Sequence, residues 1–302
     1  MAFWSTADIP DLEGHTALVT GANSGLGLEV TRELARCGAA VTLACRSEAK
    51  ATDAIAMLRR DGITAPLEFL QLDLADLASV ASAAAAVRDG GGLLHLLVNN
   101  AGLMAIDHAA TVDGFEMQFG VNHLGHFALT AELLPVLDAT PGARIATMSS
   151  MGHRAGSMHF DDLMFEHRYD RWRPYFQSKL ANLLFTAELH RRLGLAGSST
   201  MALAAHPGGS RTDLGSEGKG ISNTVMRTLA PIGLQSPRRG AEPMLRALTD
   251  RAARGAQFYG PRWMTRGHAV LETPSRKARS PDDARRLWEM SEQLTSRVVL
   301  PA

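Results

Sequence analysis

The stretch "HTALVTGANSGLGLEVTRELARCG" (15–38) decides how this chain is read. It opens with a short apolar run ending in glycine. It closes with Leu26, Val30, Leu34 and Cys37 at helical spacing, and Gly38 stops the helix. Between them stands "TGANSGLG", with glycines at 21, 25 and 27. Three glycines there let the chain turn sharply and bring its backbone close to a pyrophosphate. The first N–H groups of the helix then face the phosphate. The spacing is Gly-x-x-x-Gly-x-Gly rather than the Gly-x-Gly-x-x-Gly of many nucleotide folds. Its place between a first strand and a first helix is what a nucleotide site requires. Gly21, Asn23, Ser24, Gly25, Leu26 and Gly27 are the candidate contacts.

Strand and helix signals continue to alternate outward from this unit. Apolar runs at 39–45, 67–73, 93–100, 143–150 and 199–207 read as strands, with a short seventh at 256–260. Helical patterns cover 48–62, 77–90, about 113–138 and 175–194. The strands are continuous apolar runs, so both faces of the sheet are covered. The expectation is an α/β fold: a doubly wound parallel sheet of about seven strands with helices on both faces. Residues 151–174 and 209–255 break the rhythm. Long irregular segments after strand ends are where such folds bind ligands.

Composition bounds the function. The chain has 302 residues, 45% hydrophobic and 21% charged, enough for a sizeable core in one domain over 1–302. Lys plus Arg and Asp plus Glu balance at 31 each, which calls for neither nucleic acid nor an anionic membrane. The stretch "RGHAVLETPSRKARSPDDARR" (266–286) leans basic, is interrupted by acids, and reads as solvated surface. Cys37 and Cys45 are two reduced thiols, too few for a disulfide framework. The N-terminus carries acids where a signal peptide needs a basic start, and no stretch approaches the ~18 apolar residues of a membrane span. A soluble, cytoplasmic protein is expected.

Further candidates lie at the strand ends. Arg46 follows the second strand, near the ~20-residue offset from the glycine turn where a dinucleotide fold meets the adenosine ribose. An acid there would bond a 2′-hydroxyl; a guanidinium suits a 2′-phosphate, so NADP(H) is favoured over NAD(H). Asp73 and Leu74 follow strand three, where a carboxylate either meets an adenine or, as Asp76 also can, caps the next helix. "VNNAG" ends strand four, and Asn99, Asn100, Ala101 and Gly102 leave room for a cofactor.

With "TGANSGLG", "NNAG", "VNHLGHF", "MSS", "YFQSK" and "HPGGSRT" in that order, the chain resembles the short-chain dehydrogenase/reductase family. The resemblance covers 12–215 firmly and the remainder loosely. It implies a Rossmann-like domain, with a cofactor-binding part over about 12–150 and substrate segments at about 151–174 and 209–270. It implies NAD(P)-linked carbonyl–alcohol chemistry and a catalytic set that falls on Asn122, Ser150, Tyr175 and Lys179. Asn122 would hold a water linking Lys179 to solvent. Lys179, with Tyr175, would also meet the nicotinamide ribose, and Pro207, Gly208 and Thr212 the nicotinamide itself. Ser150 precedes Tyr175 by twenty-five residues, which together with "ACR" and "YGP" is similar to the retinol dehydrogenase-like branch. That branch includes WW-domain oxidoreductases and protochlorophyllide reductases. The chain shows no anchor or WW module ahead of the fold, so a membrane-bound retinoid role is not expected.

The chemistry can also be argued from the residues. Hydride transfer to a carbonyl leaves charge on oxygen and needs a proton donor and nearby dipoles. Free tyrosine has a pKa of ~10. A lysine at i+4 shares its helix face, and its ammonium would stabilise the phenolate. Phe176, Leu180, Leu183 and Leu184 form an apolar stripe; Tyr175, Lys179 and Asn182 share another face, and Pro174 suits a helix start. His153, His159 and His167 read as loop surface or pocket lining, with no metal spacing. His123 and His126 fall on the long helix. Neither a Gly-x-Ser-x-Gly elbow nor a P-loop is present.

The expected function is an NADP(H)-preferring oxidoreductase that interconverts a carbonyl and an alcohol on a small molecule. Met104, Met151, Met226 and Trp263 hint at a bulky apolar substrate. The alternatives are an NADP(H)-binding sensor or scaffold without turnover, and a C=C bond reductase on the same fold. The apolar content of 121–137 and 180–189 permits a homodimer or homotetramer.

Overall fold

The computed structural model describes residues 3–209 and 235–298. One eight-stranded sheet forms its centre. The strands are β1 Thr16–Thr20, β2 Ala40–Cys45, β3 Leu67–Gln71, β4 Leu96–Asn99, β5 Arg144–Met148, β6 Met201–Ala205, β7 Phe258–Pro261 and β8 Ala269–Glu272. Their order is β3-β2-β1-β4-β5-β6-β7-β8, parallel throughout except that β8 runs antiparallel to β7. The helices are α1 Gly25–Arg36, α2 Glu48–Arg60, α3 Leu77–Asp89, α4 Gly125–Asp138, α5 Trp172–Leu195, α6 Pro237–Thr249 and α7 Pro281–Thr295.

Period-two alternation explains the unbroken apolar strands. Leu18, Leu97 and Ile145 face one layer, meeting Val80, Phe127, Leu133 and Leu189. Their neighbours Val19, Val98 and Ala146 face the other, meeting Val30, Leu34, Leu58 and Met244. Each fully buried Leu or Val stabilises the fold by about 1.5–3 kcal/mol, so a polar residue on either face would be costly. The chain leaves β1 toward β2 and β3, then returns to β4 on the other side. That reversal opens a crevice at the carboxyl ends of β1 and β4.

Three features differ from the sequence reading. An eighth strand exists, inside the stretch read as solvated surface. Its apolar run is only Ala269, Val270 and Leu271, of which Ala269 alone is buried and Leu271 is exposed, too short a signal to stand out. The same stretch leads into α7, whose Ser280 side chain caps the helix ahead of Pro281 and two acids. Trp288 of α7 is fully buried, stacked on Phe185 at 5.9 Å and covered by Arg192 at 4.7 Å. The helix expected over 113–138 starts at Met117 and passes through a π-helical turn, Gly120–Leu124, before α4. Third, α5 begins at Trp172 rather than at 175. Pro174 still lies in its first turn, where a missing N–H goes unnoticed.

Candidate active site

The glycine turn joins β1 to α1 at the crevice. Gly21 and Gly25 hold positive φ, +64° and +54°, which L side chains adopt with strain. A β-carbon at Gly27 would run into the Gly21 carbonyl oxygen and lie 2.6 Å from Asn100 Nδ2. Ser24 caps α1 by its backbone alone, so its side chain is not spent on the first-turn N–H groups. The turn is braced from below. Thr20 Oγ1 accepts the N–H groups of Asn100 and Ala101, each at 2.9 Å, and Asn100 Nδ2 donates to the Thr20 carbonyl at 2.9 Å. The thiol of Cys45, at the end of β2, accepts N–H from Ala22 and Asn23. This cradle of open N–H groups beside a helix N-terminus fits a dinucleotide pyrophosphate.

The chemical end lies where β4, β5 and α5 meet. Tyr175, Lys179 and Asn182 share one face of α5, and all three are buried. Asn182 Nδ2 donates to the Met148 carbonyl at 2.9 Å, and Lys179 Nζ reaches the same oxygen at 3.4 Å. Ser149 Oγ donates to the Lys179 carbonyl at 2.8 Å, tying α5 to β5. The Ser150 side chain acts on the Tyr175 phenol and favours its ionised form. Lys179 Nζ stands 5.9 Å from the Tyr175 ring centroid. Gly102 leaves the approach open, since a β-carbon there would sit 3.2 Å from Lys179 Nζ and 3.0 Å from Asn122 Oδ1. Among the described residues, the buried ammonium makes one long hydrogen bond, so donors remain for the hydroxyls of a cofactor ribose.

Burial governs the ionisation of this cluster. It pushes the Tyr175 phenol above its ordinary value, against the Ser150 hydrogen bond, which pulls the other way. It lowers Lys179 to about 8.

The family model for short chain dehydrogenase matches residues 15–219, which include the cradle and the chemical end. This chain belongs to the short chain dehydrogenase family. Human retinol dehydrogenase 13 is 40% identical to it over 298 residues, 96% of this chain and 86% of the relative. Human retinol dehydrogenase 12 is 38% identical over 283 residues, 94% of this chain and 87% of the relative. A crystal structure of an uncharacterised protein from Mycobacterium paratuberculosis matches with a TM-score of 0.83 and 42% identity, covering 100% of both chains. The protein is thus a retinol dehydrogenase-like member of an oxidoreductase family that uses NAD(P)(H).

The remaining candidates of this dehydrogenase fall into distinct places. Arg46 is exposed just beyond β2, and among the described residues its guanidinium has no carboxylate partner. Asp76 caps α3 by accepting the Ala78 N–H at 2.9 Å. Asp73 turns its Oδ1 onto the Ala75 N–H at 2.9 Å, ahead of the buried Leu74. Asn99 is fully buried and donates to Thr130 at 3.0 Å, so its amide braces β4 against α4. Asn122 sits in the π-helical turn with its side chain fully engaged. It exchanges two bonds with Leu103, 2.7 and 3.0 Å, and donates to Ser178 Oγ at 2.9 Å. The Asn122 side chain is therefore a clamp on the loop after β4. Pro207 and Gly208 follow β6 beside Ser149, whose N–H donates to the Ala205 carbonyl at 2.7 Å. Thr212 and Met226 lie outside the described residues.

The 151–174 segment is fastened to the loop after β4. Tyr169 Oη donates to Glu116 at 3.0 Å, Gln118 Nε2 donates to the Arg171 carbonyl at 2.9 Å, and Arg171 pairs with Asp107. Met104 and Met151 are half-buried, whereas Trp263 is exposed at the β7–β8 turn. The histidines differ most from expectation. His167 is exposed and His159 half-buried, but His123, His126 and His153 are buried. His126 spans Thr20 Oγ1 at 2.9 Å and the Asn122 carbonyl at 3.1 Å. Thr20, Ser149, Ser178 and His126 were missed as supports. Only His126, one turn beyond Asn122, carried a spacing signal.

Burial depresses His123 to about 3 and His126 and His153 to about 4, from 6.5. Between those values the unfolded chain binds more protons than the folded one. Their contribution to stability is therefore complete above pH 6.5 and is lost as pH falls toward 4. Each histidine is worth about 1.4 kcal/mol per pH unit inside that window. Urea unfolding should show a clear drop in stability between about pH 7.5 and about pH 5. Equal stability at both would mean that these rings are not held neutral.

Proposed function

We propose that this dehydrogenase is an NADP(H)-preferring enzyme that interconverts a carbonyl and an alcohol, with Tyr175 as proton donor and acceptor. The observation that carries the reading is the burial of Tyr175 and Lys179 together on one face of α5, one helical turn apart, with the Lys179 ammonium 5.9 Å from the Tyr175 ring centroid. Bound NADP(H) would supply or accept the hydride. In the reducing direction, the carbonyl carbon gains that hydride while Tyr175 Oη gives its proton to the carbonyl oxygen. Ser150 Oγ donates to the same oxygen as charge develops on it. Lys179 holds the ribose hydroxyls and offsets the phenolate left on Tyr175.

Gly21, Gly25 and Gly27 would cradle the pyrophosphate, and Arg46 would take a 2′-phosphate. Met104, Met151 and Phe176 are half-buried, and we read them as apolar surface for the substrate. The names of the two human relatives support an alcohol as the reduced partner. Two free thiols, Cys37 and Cys45, accord with a reducing cytoplasm. Among the described residues no helix is long and apolar enough to cross a membrane.

The test is incubation of the protein with NADPH and a panel of aldehydes and ketones. Nicotinamide absorbance should fall with the carbonyl present. If NADPH binds and absorbance never changes, the protein is a sensor or scaffold. Product analysis separates an alcohol from a reduced C=C bond. Cofactor preference has its own test. Arg46→Asp should weaken NADPH by roughly ten- to hundredfold, the value of one or two charge-assisted hydrogen bonds, and improve NADH. An unchanged ratio of the two affinities would remove Arg46 from the site.

A further inference from the structure

Behind Ser150 lies a polar chain that the proposed chemistry does not use. His206, the last residue before Pro207, is 1% exposed. Its Nδ1 accepts the Gly208 N–H at 3.2 Å. A ring nitrogen that accepts leaves the other to donate. That Nε2–H faces Glu272 Oε1 of β8 at 3.0 Å. The second oxygen of Glu272 pairs with Arg154 at 3.4 Å. Arg154 follows His153, whose Nδ1 lies 2.6 Å from the Ser150 carbonyl and whose Nε2 accepts the Ser275 N–H at 3.3 Å. The Phe258 ring separates the two imidazoles, with centroids 5.4 Å from His153 and 5.2 Å from His206.

Space has been left for this chain. A β-carbon at Gly260 of β7 would run into both His206 Nε2 and Glu272 Oε1. Glycine inside a strand weakens it and marks a close approach. The β7–β8 ladder pairs four residues on each strand without help from the side-chain bond. A buried bond to a carboxylate is poor evidence of stabilisation, because desolvation consumes much of the attraction. What it does provide is a fixed geometry.

We infer that His206 and Glu272 are positioning residues for hydride transfer, fastening the Pro207–Gly208 turn and, through Arg154 and His153, the Ser150 turn to one strand, β8. The two turns lie at the carboxyl ends of adjacent strands. In the proposed function one of them faces the nicotinamide and the other the carbonyl, so the assignment rests on that reading. A rigid tie between them sets the distance over which the hydride moves, and sub-ångström slack there slows the chemical step more than it weakens binding.

The test compares Glu272→Gln, which keeps an acceptor for His206, with Glu272→Leu, which does not. Glu272→Leu should lower kcat about tenfold or more, with the NADPH Kd within about threefold of wild type and a larger isotope effect from 4-deuterated NADPH. Glu272→Gln should stay within about threefold of wild type in kcat. If Glu272→Leu fails to fold, Gly260→Ala decides, because it pries the same pair apart and should show the same kcat loss. A kcat near wild type in whichever of these two variants folds would overturn the assignment. So would a Glu272→Gln variant as slow as Glu272→Leu, or a loss confined to NADPH affinity. Should wild type show no turnover, the oxidoreductase reading fails separately. The tie is then judged by the His206 ring signals, identified by their absence in His206→Gln. Added NADPH should move them in wild type and not in Glu272→Leu; unmoved signals in wild type would overturn it.

Discussion

Replacing Tyr175 with phenylalanine is expected to cut turnover by roughly three orders of magnitude while leaving NADPH affinity within about twofold, because general acid–base groups contribute ~10²–10⁴-fold. The substitution removes one oxygen and little else. Tyr175 is 6% exposed, packed edge-on to Trp172 at 6.3 Å and beside Phe176 at 5.9 Å. A phenylalanine ring keeps those contacts. Ser150 is half-buried and keeps the Gly152 N–H at 3.1 Å, so it is not left orphaned. Steady-state rates and fluorescence titration with NADPH on the same preparation check both halves. Wild-type-like turnover would remove Tyr175 as the proton donor. Loss of NADPH binding would show that the phenol acts through the cradle.

Gly27→Ala should weaken NADPH by roughly a hundredfold, about 2.7 kcal/mol, while the protein stays folded. The new methyl has nowhere to go: it meets the Gly21 carbonyl oxygen, in the turn itself, and the Asn100 amide that braces the turn from β4. The turn must open, and with it the row of N–H groups that would receive the pyrophosphate. Overpacking of this kind costs about 1–3 kcal/mol of stability. Calorimetric titration with NADPH, alongside thermal unfolding, separates lost binding from lost fold. Unaltered affinity would move the pyrophosphate away from this turn.

The same two places show what the sequence could tell. The glycine turn was legible because three glycines, a strand and a helix agree, and only glycine meets both the positive φ and the close approach. Tyr175 and Lys179 were legible because helical spacing alone brings them together. β8 was not, since it is four residues long and buries only Ala269. The π-helical turn was not, because side-chain pattern does not encode a one-residue shift in backbone hydrogen bonding. The full engagement of Asn122 depended on Leu103 and Ser178, which lie far from it in sequence. The hydrogen bonds of the buried histidines could not be read, because their partners, Thr20, Ser275 and Ser291, come from distant segments.

Trp288 has a bearing on how the molecule is made. It seals α5, the helix that carries Tyr175 and Lys179, yet it leaves the ribosome long after them. Domains generally fold as units during synthesis, and contacts distant in sequence form slowly. A nascent chain that has produced the glycine turn, Asn122 and Lys179 still exposes the apolar flank of α5 around Phe185. Until α7 covers that flank, the chain is open to aggregation and to capture by chaperones.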